Sequence, residues 1–79
     1  MFDEYNKRIV VDQEIHTGKP CVAGSRITVE NVLELVQEGI PFEEIIARYY
    51  PDLEIEDIKA CVHYAFEIIR SEEIHVERV

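Results

Sequence analysis

The chain has 79 residues, a formal net charge of −9 and a hydrophobic fraction of 47%. This length predicts one small domain, residues 1–79, with a narrow stability margin, and the apolar fraction suffices for a globular core. No apolar run approaches the ~20 residues of a membrane span, and the acidic start lacks the pattern of a signal peptide. Two widely separated cysteines, Cys21 and Cys61, fit a reducing compartment. The composition therefore predicts a cytoplasmic protein.

The charge is unevenly distributed along the chain. Acidic and basic side chains cancel in residues 1–26, whereas residues 27–53 carry −5 and residues 54–79 carry −4. Nucleic-acid binding requires a basic surface, which the C-terminal two thirds lack. An acidic surface is suited to a basic protein partner or to solubility.

The N-terminal third is predicted to be extended. Residues 1–8 read as a flexible arm, and residues 9–28 as a short β-ribbon with turns. Gly24 permits the positive φ angle of a tight turn, and Pro20 suits a sheet edge. The β-prone runs are Ile9–Val11, Lys19–Val22 and a third that begins at Arg26. Because such a ribbon is marginal alone, we expect it to pack on the helices or on another copy.

Residues 29–70 are predicted to form three helices. Thr28 is a favourable N-cap for the first, and Gly39 ends it as the left-handed residue after the C-cap. The buried side of this helix is expected to contain Val29, Val32, Leu33 and Val36. A shorter second helix is expected over about Phe42–Tyr49, and Pro51 stops it. Its predicted apolar side contains Ile45, Ile46 and Tyr49.

The third helix has the longest amphipathic pattern in the chain. Its apolar positions follow helical spacing over about three turns: Ile58, Cys61, Val62, Ala65, Phe66 and Ile69. Residues 71–79 form a tail after it. Short connections force neighbouring helices together, so the expected fold class is mainly α, with a homeodomain-like or helix-turn-helix trihelical core and an N-terminal β-ribbon. Three helices packed without a nucleic-acid role would give the same pattern.

Neither metal nor catalytic chemistry is indicated by the residue spacing. No Cys-x-x-Cys or His-x-x-x-His pair is present, so no metal site or cofactor is predicted. A catalytic carboxylate needs a pocket that shifts its pKa, and the acidic side chains here fall on predicted polar helix faces. We therefore expect no enzymatic activity.

The candidate contacts to DNA or to a protein partner are basic. In a helix-turn-helix the start of the third helix meets the bases, but here that segment carries the acids Glu54, Glu56 and Asp57. The remaining candidates are Lys7, Arg8, Lys19 and Arg26 in the ribbon, with Lys59 and His63 on the polar side of the third helix. Alternatively, these basic residues are ordinary surface charge. The segment Gly18–Ile27 would then have only a structural role, with Arg26 in an ion pair with an acid of the first helix.

The ribbon sequence also carries a recognisable motif. The segments are Arg8–Asp12 and Gly18–Val29, which read RIVVD and GKPCVAGSRITV, followed by Tyr50–Leu53, which reads YPDL. At this spacing they resemble family 433 of domains of unknown function (DUF433), over roughly residues 8–69. Gln13 stands where the family often has proline, and Ser25 where it often has threonine. Pro51, within YPDL, is expected to shape the backbone rather than to bind a partner. The same is expected of four other residues of the motif and the helix ends: Gly18, Pro20, Gly24 and Gly39.

The resemblance implies a homeodomain-like trihelical domain with an N-terminal ribbon. Family members are commonly classed as antitoxins of the VapB type, encoded beside a toxin with a PIN-like nuclease fold. The leading hypothesis is thus a homodimeric antitoxin-like module that neutralises a nuclease toxin, with operator DNA as a second ligand. The alternatives are a stand-alone DNA-binding regulator, which the acidic third helix disfavours, and a self-associating scaffold domain.

Overall fold

The computed structural model describes Tyr5, residues 7–14 and residues 16–71. In this part of the chain, a two-stranded antiparallel sheet precedes three helices, as predicted. The strands are β1 (Ile9–Val11) and β2 (Pro20–Val22), with a turn at His16–Gly18 between them in which Thr17 has a φ of 52°. The helices are α1 (Val29–Gln37), α2 (an α-helical turn, Phe42–Glu44, continued by a π-helical turn, Ile45–Tyr49) and α3 (Ile55–Ser71). Most of the predicted arm and all but the first residue of the predicted tail lie outside the described residues.

The ribbon pairs two of the three predicted runs. Val10 lies opposite Cys21 in the antiparallel register. After β2 the chain turns at Gly24, which has a φ of +79°, and the N–H of Ser25 donates to the carbonyl of Val22 at 3.0 Å. A positive φ at the third turn position is the type II geometry that favours glycine. The third run forms a single bridge, between Cys21 and Thr28, because helix α1 begins at the next residue.

Helix α1 begins and ends where its capping residues predict. The side chain of Thr28 accepts the backbone N–H three residues later at 3.0 Å, which satisfies one of the unpaired donors of the first turn. At the other end Gly39 has a φ of +84° and donates to the carbonyl of Val36, while Ile40 donates to Leu35. These two bonds form a Schellman motif, which requires a left-handed residue at position 39.

The second helix departs from the predicted pattern in its last turn. The N–H of Tyr50 donates to the carbonyl of Ile45 at 2.8 Å, an i→i+5 bond that adds one residue to the turn. This bond places Tyr50 above Ile45, where an α-helix would have placed Tyr49. As a result Tyr50 packs against the core and Tyr49 is exposed, so the predicted inward position of Tyr49 was wrong.

The core joins the ribbon to all three helices and the turn before α3. Its buried members are Val22, Val29, Val32, Ile45, Leu53, Ile58 and Cys61. On α3, however, the predicted stripe is buried only on one side: Val62, Phe66 and Ile69 are 39%, 53% and 58% exposed. The three exposed residues follow i, i+4, i+7 spacing along one side of the helix, so the rest of the domain covers only the other side of the stripe, which contains Ile58 and Cys61. None of the described helices combines the length and apolar character that crossing a bilayer requires.

Candidate protein-binding surface

Arg8, a predicted DNA or partner contact, is bonded within the domain. Its Nη1 donates to Oδ1 of Asp57 at 2.9 Å and to Oε1 of Glu54 at 3.2 Å. The hydrogen bond to Asp57, and then that to Glu54, raise the pKa of the Arg8 guanidinium above its ordinary value. The side chain of Asp57 is only 13% exposed. Two acids of the α3 start therefore hold this basic group against the helix.

The other ribbon bases lie nearer to solvent. Nζ of Lys19 is 3.5 Å from Oε1 of Glu30, in an exposed pair between the ribbon and α1. Arg26 is exposed at the edge of a shallow groove of about 640 Å³ beside the Gly24 turn. Lys7 is exposed in the turn before β1.

The two candidates on α3 also contact acidic neighbours. Nζ of Lys59 is 3.6 Å from Oε2 of Glu56, and Nε2 of His63 is 3.5 Å from Oε2 of Glu67. The His63 side chain is 12% exposed, and its ring lies 5.3 Å from that of Tyr5. His63 thus faces Glu67 on the polar side of the helix, and the contact with Tyr5 leaves its side chain largely buried. A sequence pattern within α3 cannot anticipate a contact from so distant a residue.

An open groove runs between α1 and α3. Its volume is about 450 Å³. The apolar lining consists of Pro20, Val29, Leu33, Tyr64, Ala65 and Ile68. Polar groups border it on the α1 side and at one end: Lys19, Glu30, Glu34 and Gln37. Sequence periodicity assigned Leu33 to the core and did not include Ile68 in the α3 stripe, so the groove was not predicted.

Acidic side chains line the exposed side of α1. Glu30, Glu34 and Glu38 are all exposed and follow one another at four-residue spacing, which places them in one row along the helix. Lys19 pairs with Glu30 at one end of this row. The row therefore presents negative charge to solvent directly beside the apolar groove.

A second apolar surface lies on α3, at the uncovered part of the predicted stripe. Val62 and Phe66 border a pocket of about 410 Å³ with Tyr5 and Phe42. The guanidinium carbon of Arg70 is 5.5 Å from the centre of the Phe66 ring, within cation–π distance. This surface is therefore partly apolar and partly bordered by charge.

In the part of the chain that the structure describes, neither the cysteines nor the acidic side chains are arranged for metal binding or for nucleophilic catalysis. Among the described residues, no three His, Cys, Asp or Glu side chains come together as a metal site. Cys21 and Cys61 are both buried free thiols. Burial, and then the negative charge of Asp57, raise the pKa of Cys61 from 9.0 to about 12, so this sulfur is protonated at neutral pH and is a poor nucleophile.

Comparison with known proteins identifies the family. The sequence profile of the family described as "Protein of unknown function (DUF433)" matches residues 9–65, which include the ribbon, α1, α2 and the first two thirds of α3. No curated protein and no solved structure matches the chain. Since the match extends over more than half of the sequence, the chain belongs to the DUF433 family.

Proposed function

We propose that this protein is a non-catalytic, antitoxin-like module of the VapB type. It binds a basic surface of a PIN-like nuclease toxin in the cytoplasm and thereby blocks access to RNA. We further propose that its three helices take a homeodomain-like arrangement and that it acts as a homodimer. The short connections between helices and the short α2 support the homeodomain-like arrangement. The exposed apolar surface of α3 supports the homodimer.

The observation that carries the proposal is the pairing of charges. Several basic candidates lie within ion-pair distance of acids in the same domain: Arg8, Lys19, Lys59 and His63. In the acidic row of α1, Glu30 is paired with Lys19, but the row as a whole is exposed, and Glu30 and Glu34 line the apolar groove. Complementary charge accelerates association and orients partners, so the ligand that suits this surface best is a basic protein. An RNA-binding nuclease surface has that character.

A DNA-binding role is the weaker alternative. The first turn of α3 contains Glu56 and Asp57, which would repel phosphates at the position where a recognition helix meets DNA. Operator binding would have to depend chiefly on the basic residues of the ribbon: Lys7, Arg8, Lys19 and Arg26. Such binding would be seen as an affinity that falls steeply with salt concentration. If no affinity appears at low ionic strength, the operator role is excluded.

The test is complex formation with the product of the adjacent gene. The tagged protein is co-expressed with that product, purified, and the RNase activity of the partner is measured with and without it. We expect a stable complex, suppressed RNase activity, and weaker association at high salt because exposed charges are screened. If purified proteins neither associate nor alter RNase activity, the antitoxin proposal is wrong.

A further inference from the structure

The groove between α1 and α3 combines an apolar floor with one acidic border. Leu33 and Tyr64 lie half-buried in its lining, and Ile68 is 38% exposed there. Glu30 and Glu34 stand on the α1 border. The groove lies open between two helices, and its acidic and amide groups come from α1: Glu30, Glu34 and Gln37. A helix-binding groove requires apolar anchors along its floor, and charge on one wall orients the partner.

We propose that this groove binds a short amphipathic helix of a partner protein, with aliphatic side chains inward and Lys or Arg toward Glu34. The inference rests on the proposed function for the identity of that partner as the nuclease. Helix α1 lines the groove from Val29 to Gln37, about 12 Å at 1.5 Å per residue. A partner helix of about two turns therefore matches its length, with anchors one turn apart above Leu33 and Ile68.

A second copy of this chain is a poorer occupant of the groove. Residues 27–53, which contain α1 and α2, carry a net −5, and residues 54–79, which contain α3, carry a net −4. Helices of another copy would bring acidic side chains toward Glu30 and Glu34, and like charges at an interface disfavour that partner. Charge complementarity thus selects a basic helix from a different protein.

The test uses a synthetic helical peptide with leucines on one face and flanking lysines. Binding is measured by titration and located by backbone NMR shifts of the labelled protein. Two variants alter the groove, Glu34→Lys on its border and Ile68→Glu in its lining. Each has a control that makes the same charge change at an exposed residue outside the groove, Glu43→Lys and Ser71→Glu.

We expect the shifts to centre on Leu33, Tyr64 and Ile68. The groove variants should weaken peptide binding by about tenfold, because one replaces an attraction by a repulsion and the other puts a charge in the apolar lining. The controls should change it by less than about twofold. Urea unfolding shows whether each variant remains folded, and the milder Glu34→Gln and Ile68→Ser replace any variant that does not.

The inference is overturned if the peptide fails to bind, if the shifts centre on Val62 and Phe66, or if groove and control variants weaken binding equally. This result is independent of the nuclease experiment. A nuclease complex that forms equally well with Glu34→Lys, Ile68→Glu and wild type would overturn the groove as the docking site and leave the antitoxin proposal standing. Peptide binding in the groove without any nuclease complex would overturn the antitoxin proposal and leave the groove standing as a helix-binding site.

Discussion

The carboxylate of Asp57 joins Arg8 to the first turn of α3. Its Oδ1 accepts from the guanidinium of Arg8 at 2.9 Å, and its Oδ2 accepts from the backbone N–H of Glu54, the residue before the helix, also at 2.9 Å. The second bond is one half of a capping box, in which the third helical residue satisfies the N-cap donor. The side chain of Asp57 thus caps the N-terminus of α3 and binds Arg8, the residue before β1, to that helix.

Substitutions of Asp57 should separate these two roles. Asp57→Asn retains an oxygen for the N–H of Glu54 but removes the charge that faces Arg8. Asp57→Ala removes both, and we expect it to lower the free energy of unfolding by about 1 kcal/mol more than Asp57→Asn, the usual cost of a lost cap. Urea denaturation measures the difference, with Glu56→Ala in the same turn as the control. Equal losses for Asn and Ala would show that the cap contributes nothing.

The buried thiol of Cys61 should make stability depend on alkaline pH. Its pKa is raised in the folded state from 9.0 to about 12, so the folded protein keeps a proton that the unfolded chain releases. This contribution is complete below pH 9.0 and is lost as the pH rises toward 12, with a slope of at most about 1.4 kcal/mol per pH unit.

The measurement is the free energy of unfolding in urea at several values between neutral and strongly alkaline pH. Other groups titrate in this range, so the informative quantity is the difference between wild type and Cys61→Ala. We expect the variant to be less stable at neutral pH but to lose less stability on alkalisation. Cys21→Ala retains the buried thiol of α3 and should show the wild-type slope. Parallel curves for wild type and Cys61→Ala would contradict the prediction.

Local signals in the sequence predicted the ends of α1 well. The hydroxyl of Thr28 and the left-handed conformation of Gly39 act on neighbouring backbone groups, so their effect needs no knowledge of the rest of the fold. The apolar stripe of α3 was predicted less well. Periodicity identifies which side of a helix is apolar, but the covered part depends on the length and position of the helices that pack on it. That is why Phe66 and Ile69 are exposed.

The surroundings of the candidate basic residues could not be predicted from local sequence either. Lys19 and Arg8 were predicted as contacts to a partner or to DNA, and their acidic neighbours within the domain come from α1 and from the start of α3. Pairs between residues so far apart in sequence are set by the tertiary fold. The α1–α3 groove likewise combines residues of β2 and two helices, and no single segment contains its pattern.

The difference between covered and uncovered apolar positions can be measured directly. Ile45 is fully buried, whereas Val11 is 56% exposed. We expect Ile45→Ala to lower the free energy of unfolding by about 3 kcal/mol, through lost burial and the cavity left behind. Val11→Ala should change it by less than about 0.5 kcal/mol. Urea denaturation of both variants checks this. Similar losses would mean that the outer side of β1 is covered after all.

The exposed surface formed by Val62, Phe66 and Ile69 is the proposed contact between copies of this chain. Wild type should be dimeric in sedimentation equilibrium at micromolar concentration. Phe66→Asp should be monomeric, because it places a charge in the apolar contact, whereas Phe66→Leu keeps the surface apolar and should remain dimeric. A monomeric wild type would contradict the homodimer.

Salt distinguishes this self-association from binding to a basic partner. Two copies with a formal charge of −9 each repel one another, and added salt screens that repulsion while leaving the apolar contact of Phe66 intact. Dimerisation should therefore strengthen as salt rises. The complex with a basic nuclease should weaken, since the screened interaction there is attractive. If salt shifts both equilibria in the same direction, at least one of the two surfaces has been assigned to the wrong partner.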